Sequence, residues 1–444
     1  MPMVDVRYYD IRCVRGEVTQ VDIDNGVIES AGTSFFDKAV IRALGPKGWG
    51  VLTRDHVDID SRRDLDTLVE AAARLAAVTE DPLDLADAPR GVLPVPSLAE
   101  DPRDVDLEEK TRLLAGIEAA ARVPEVVNTR ARYTEGIDQV RFLDSSGNEY
   151  SYEAVRSGFS VLAIASKNGV MQMGSERDHT TTGFNLRDKQ DLGRKAGEVA
   201  VSLLDAKIPK GGPRRAVLDP ELAGVFTHEA VGHASEGDLV REGASVLGGK
   251  IGEVIGCAGL VIVDDPTLHE FGFMPVDAEG VAVERTEIIR DGILTSYIHN
   301  RETLAAVGNG IPGHARAEPG APPIVRMSNT FIENGDATYD EILAECKDGI
   351  LLIGSRGGQV DPGRGVFQFN AEYGYLVEGG ETTDMVRDVS LSGEILSTLH
   401  NIVLLGNDRR MSPGYCGKGG QSVPVSDGAP HLLLESATIG GRGE

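Results

Sequence analysis

The residues Thr227-His228-Glu229-Ala230-Val231-Gly232-His233 set two imidazoles five positions apart with a carboxylate beside the first, and that spacing restricts the local backbone. Two histidines and an adjacent glutamate are the parts of a metal-hydrolase site, where the usual histidine spacing is four on one helical face. On a regular α-helix five residues turn about 500°, so the imidazoles would point about 140° apart. A one-residue π-bulge removes the mismatch by stacking i on i+5, and such bulges favour functional sites. The expectation is a helix with a local π-turn, eased by Gly232. Asp219 as cap, Pro220 at the first helical position, and Leu222, Val225 and Phe226 as an apolar stripe anchor that helix in a core. The bland alternative makes His228 and His233 polar core residues and Glu229 a solvated neighbour.

A catalytic zinc takes three protein ligands and keeps one position for water. Of the four cysteines, Cys13, Cys257 and Cys346 sit in apolar or helical contexts that suit buried small hydrophobes. Cys416 lies in Pro413-Gly414-Tyr415-Cys416-Gly417-Lys418-Gly419-Gly420-Gln421-Ser422, which reads as a flexible glycine-rich loop. There Lys418 would lower the thiol pKa, which makes Cys416 the best third ligand.

These stretches, with Glu236-Gly237-Asp238, Gly243-Ala244-Ser245-Val246 and the continuation to Val425, stand in an order that resembles the TldD subunit of the TldD/TldE (TldD/PmbA) metalloproteases. The resemblance is densest over residues about 215 to 444 and collinear over the N-terminal half. It implies a zinc ion held by His228, His233 and Cys416, with Glu229 activating water as general base. The sister subunit TldE lacks the metal motif, which places this chain on the TldD side. The resemblance further implies a peptidase for unfolded or short peptides, working as a homodimer or as a heterodimer with a TldE/PmbA-type paralogue, with a groove that excludes folded proteins. Two neutral imidazoles and one thiolate would leave such a site at net +1, and Glu236 and Asp238 are candidates to orient the ligand imidazoles. A rival reading is a non-catalytic regulatory or binding subunit with a structural metal, which would not need Glu229. Modulation of a DNA-acting enzyme through protein contacts has also been associated with the family.

The formal charge of −26 and pI near 4.8 argue against binding nucleic acid or an anionic membrane surface. An acidic surface also suits a salt-adapted protein, or simply an acidic enzyme. Four cysteines without a pairing pattern, no basic and apolar leader, and no apolar run of about 18 residues point to a soluble cytoplasmic chain.

Asn25-Gly26 and Gly45-Pro46 punctuate early strands, and Leu65, Leu68, Ala72 and Leu75 share a helical face, as do Leu107, Leu114 and Ala121. Residues 82–102 read as a proline-rich loop, residues 140–173 as hairpins turning at Ser146-Gly147-Asn148 and Lys167-Asn168-Gly169, and Leu192 to Leu203 as a helix. Breakers at residues 207–213 mark the expected boundary between an N-terminal unit, 1–206, and a C-terminal metalloprotease unit, 207–444. The fold class expected is α+β, with a mixed N-terminal domain and a C-terminal domain dominated by antiparallel strands around a buried metal-binding helix. Arg326 to Thr330 and Gly363 to Asn370 are candidates to line a substrate cleft, with ordinary structural roles as the alternative. His269, His299 and His314 read as satisfied histidines outside the site, and Gly354 to Gly358 lacks the lysine of a phosphate loop.

Overall fold

The computed structural model describes residues 5–442. The first half of the chain builds one six-stranded antiparallel sheet, in the order β3-β2-β1-β4-β5-β6, from β1 (Tyr8–Asp24), β2 (Val27–Gly45), β3 (Gly48–Asp55), β4 (Val126–Asp144), β5 (Glu149–Lys167) and β6 (Val170–Thr180). Its hairpins turn where the sequence places left-handed residues: Asn25 and Gly26 have φ of 49° and 75°, and Asn168 and Gly169 have 52° and 83°. Such values at both central positions match the right-handed twist of the flanking strands.

Alternation along the strands divides this sheet into two unlike faces. Ile11, Cys13, Ala39 and Ile41 pack under the helix α1 (Arg62–Ala76), while Tyr133, Phe159 and Val161 pack under α2 (Leu107–Ala120) and α3 (Gln190–Ser202). The opposite face carries no helix. Val14, Val140, Phe142 and Tyr150 there meet Val276 from the second half of the chain.

That second half is strand-rich, and α+β describes the whole. The strand β7 (Lys210–Leu218) pairs in parallel with Gly349–Asp361 and antiparallel with Leu432–Arg442. The ring continues through Ser390–Glu394 and Val366–Glu378, and the last of these pairs back onto Gly349–Asp361. Five strands therefore close on one another, which leaves no free edge in that ring. A second sheet contains Ile262–Asp264, Asn329–Ile332 and the hairpin of Arg410–Lys418 with Gln421–Ala429, and Arg410–Lys418 is its outer strand. Between the two lies the largest core, with Leu222, Phe226, Ala230 and Val231 of the metal-motif helix buried inside it. None of the described helices is long and apolar enough to cross a membrane.

Candidate metal centre

At the end of β7, Asp219 caps the helix α4 (Pro220–Phe226): its carboxylate accepts the Leu222 N–H at 2.9 Å and the Gly354 N–H at 3.1 Å. The helix then widens into a π-turn over Thr227–Gly232, in which the His233 N–H donates to the His228 carbonyl five residues back. The extra residue per turn swings His233 onto the face of His228, and the two rings stand 5.3 Å apart at 87°. Gly232 has a different part from the one its sequence context suggests. Its φ of −55° is ordinary helix, but a Cβ there would meet the Met327 sulfur at 1.9 Å. What glycine supplies is space for Met327, not backbone freedom.

Cys416 arrives from 183 residues further along the chain. It sits on the strand Arg410–Lys418 and not in a loop, and the glycines Gly419 and Gly420 make the hairpin turn two residues beyond Lys418's neighbour Gly417. Arg326 fixes this strand: fully buried, it donates to the Cys416 carbonyl and, at 3.3 Å, to that of Gln421. Arg326 to Thr330 is accordingly interior, not cleft lining.

One donor atom from each of His228, His233 and Cys416 falls within 4.8 Å of the others. The Cys416 Sγ to His233 Nε2 distance is 3.4 Å. Ligands at ordinary zinc–sulfur and zinc–nitrogen lengths in a tetrahedron are about 3.5 Å apart, so this donor set fits a zinc-sized ion. His228 and Cys416 are buried, whereas the Glu229 side chain remains 33% exposed with Oε2 3.9 Å from His233 Nε2. The carboxylate thus stands at the open rim of the cluster.

The surroundings fix each imidazole differently. Nδ1 of His233 hydrogen-bonds Glu236 Oε2 at 3.0 Å, an arrangement that holds Nε2 free for a metal. Asp238 does not touch an imidazole; it pairs with Lys418 at 2.7 Å, and Lys418 also reaches Glu236 at 3.0 Å. The ammonium is therefore spent on carboxylates, and the Cys416 thiol takes its low pKa from elsewhere. Burial raises it, but hydrogen bonds and charge from His228 and His233 outweigh burial and bring it down to about 4. Burial likewise opposes charge on His233, and Glu236 with Cys416 reverses that and holds its pKa well above the usual value. Buried Nδ1 of His228 has no hydrogen-bond partner, and neither does buried Oδ1 of Asp427, whose pKa burial pushes up to about 7 against the nearby charge of His228. The sequence offered no signal for Asp427: it lies at the far end of the hairpin from Cys416. Gly224, one turn before His228, packs so tightly on residues 427–428 that a Cβ would meet the Gly428 nitrogen at 2.9 Å. His299 bonds Thr303 and the Gly308 carbonyl; His314 lies 3.2 Å from the buried Asp264 but neither of its ring nitrogens has a hydrogen-bond partner, so it is not the satisfied histidine expected, and neither ring joins the cluster.

Profiles of the PmbA/TldA metallopeptidases match nearly the whole chain: domain 1 over residues 9–76, the central domain over 100–204 and the C-terminal domain over 211–441. The chain belongs to the PmbA/TldD metallopeptidase family. Among its relatives in that family, a metalloprotease of Archaeoglobus fulgidus is 40% identical over 438 residues, covering 98% of this chain and 100% of the relative. A zinc metalloprotease TldD homolog of Saccharolobus solfataricus is 30% identical over 349 residues, 76% of this chain and 78% of its own. TldE of Thermococcus kodakarensis has a solved structure that superposes with a TM-score of 0.78 at 18% identity, over 98% of this chain and 97% of that one. A Thermotoga maritima protein described as a proposed modulator of a DNA gyrase superposes at 0.81 with 20% identity, over 98% and 96%. Likeness at these identities concerns the fold alone.

Proposed function

We propose that this member of the PmbA/TldD family is the metal-carrying, TldD-type subunit of a zinc-dependent peptidase that cuts unfolded or short peptides. The observation that supports this most is the convergence of two imidazoles and a thiolate within 4.8 Å, with a partly exposed carboxylate at the rim. In this reading His228, His233 and Cys416 hold the ion, and the chemistry a bound zinc supplies is Lewis acidity toward water and the scissile carbonyl. Glu229 takes the proton of the attacking water and delivers it to the leaving amine. Glu236 keeps His233 in the tautomer that presents Nε2. Burial of the ligands against the core keeps competing water away from all but the Glu229 side.

An extended peptide can lie along the outer edge of Arg410–Lys418 at its Tyr415–Lys418 end, beside Cys416; further back Pro413 has no N–H and its carbonyl already accepts Arg177 at 3.1 Å. The proposed assembly is a dimer, with a second copy or a TldE/PmbA-type paralogue, in the cytoplasm, and the working division of the chain is 1–206 and 207–444.

Elemental mass spectrometry on wild type, Cys416→Ala and Glu229→Gln, combined with cleavage of an unstructured peptide with and without chelator, tests this. Expected are near-stoichiometric zinc in wild type and Glu229→Gln, loss of zinc in Cys416→Ala, and a fall in cleavage of about 100-fold or more in both variants. A wild type that purifies without metal under zinc-retaining conditions, or undiminished cleavage by Glu229→Gln, would instead support a regulatory subunit.

A further inference from the structure

The helix-free face of the first sheet and the second half of the chain enclose a cavity of about 330 Å³. Residues one position off the helix-packed set enter it: Arg12 from β1, Asp138 from β4, and Tyr152 and Arg156 from β5. Arg316, Glu318 and Tyr415 close it from the other side, and Tyr415 immediately precedes Cys416. Val423 of the lining is the cross-strand partner of Cys416, so the cavity adjoins the hairpin that carries the third candidate ligand; its volume is at the lower end of the range of small-ligand sites.

Its charge is unusual for this chain. Acidic residues outnumber basic ones 70 to 44, yet among the described residues no carboxylate oxygen lies within 4.0 Å of Arg12, Arg156 or Arg316. Arg12 Nη1 is buried and without a hydrogen-bond partner. Arg156 is braced by the carbonyls of Phe271 and Phe273, at 3.3 and 2.8 Å, and Arg316 by that of Met327 at 2.7 Å, which orients both guanidinium groups and leaves further N–H groups uncommitted. The two acids of the lining do not complete the balance. Glu318 accepts the Ser422 N–H at 2.7 Å, and burial pushes the Asp138 carboxyl toward its neutral form against Arg156 and Arg12. Burial, followed by Arg156 and Arg326, lowers the Arg316 pKa to about 9, and the charges of Asp264 and Cys416 offset this only in part.

We propose that this cavity is a substrate subsite that takes a peptide carboxylate, either an acidic side chain or the peptide's own C-terminus, between Arg12 and Arg156. The proposal rests on the peptidase reading above. Braced guanidinium groups receive a carboxylate with little loss of side-chain entropy and in paired hydrogen bonds. Because the protein's net charge repels acidic peptides at long range, selection of a carboxylate needs a local cationic pocket of this kind.

Two measurements test it: fluorescence-anisotropy binding of labelled, otherwise uncharged peptides to the Glu229→Gln protein, and cleavage of the same peptides by wild type. One peptide series carries Glu or Gln at each position in turn; the other carries a free or an amidated C-terminus. Expected is about tenfold or more tighter binding, and a correspondingly lower KM, for carboxylate-bearing peptides. A preference for Glu at a single position relative to the cut bond identifies the side chain, and a preference for the free terminus identifies the C-terminus. Arg12→Met should bring the ratio of the two affinities close to one, and Arg12→Lys should restore part of it. Equal affinities across both series, or a preference that survives in Arg12→Met, overturn the subsite while leaving the peptidase reading intact if wild type cuts the peptides. Carboxylate-selective binding without cleavage overturns the peptidase reading and leaves the pocket. Failure to bind any peptide overturns both.

Discussion

Two residues beside the candidate cluster differ in kind: Gly232 leaves space for Met327, and Asp427 keeps a buried oxygen without a partner within charge range of His228. At Gly232 an added methyl would have to displace Met327, which is itself fully buried. Gly232→Ala is expected to cost about 1–3 kcal/mol, read as a lower Tm, and to lower zinc content because His233 follows directly. At Asp427 the expectation concerns the metal more than the fold. His233 is oriented by Glu236; Asp427, on which the charge of His228 acts, is the candidate for the same part at His228, and each of the two carries a buried atom without a partner. Asp427→Ala should weaken zinc binding by about 10–100-fold in competition with a chromophoric chelator, with Asp427→Asn intermediate. Equal zinc affinity in all three proteins would remove Asp427 from the site. The residue scale is also where the sequence was least legible: Arg326, Lys418 and Asp238 are recognisable as charged, but their partners are set by strands far away in the chain.

The element that matters most is the helix from Pro220 into the π-turn, and its start is governed by Asp219. Burial raises that carboxyl from its usual 3.8 to about 6, even though the Leu222 and Gly354 N–H groups favour the ionised form. A raised folded-state pKa means that stability from this group is complete below about pH 4 and is lost as pH rises toward and through about 6. Asn keeps the cap and carries no charge. Asp219→Asn should therefore match or fall below wild type near pH 4 and gain on it by about 2–3 kcal/mol above pH 6, measured as the difference in thermal stability at the two pH values. A difference independent of pH would show that the cap bears no ionisation cost. At this scale the sequence was largely sufficient. The histidine spacing required a π-turn, and the structure has one over Thr227–Gly232. The helical faces near Leu68, Leu114 and Ala196 and the Asn-Gly turns also formed as expected, because each depends on φ preferences and on periodicity within a few residues.

Over the whole molecule, a formal charge of −26 must be carried on the surface of a chain whose core is conventional. Many arginine and lysine side chains are already paired there with carboxylates, and exposed pairs of this sort contribute little. The uncompensated acidic surface is the larger electrostatic effect, and it falls as the screening length shortens from about 10 Å at 0.1 M to about 3 Å at 1 M salt. Raising NaCl over that range should raise the Tm by several degrees; a flat or falling Tm would mean that ion pairs outweigh the repulsion.

The two histidines and their π-turn, the capped helix that carries them, the hairpin turns and the acidic surface all follow from spacing, local backbone preference and composition. The long-range pairings account for the rest: that Cys416 meets His233 across 183 residues, that Arg326 is interior, that Asp427 comes within charge range of His228, and that three arginines share one cavity. Those encounters depend on which strands pair and in what register, and that choice is settled by burial summed over the whole core, which no short stretch of residues encodes.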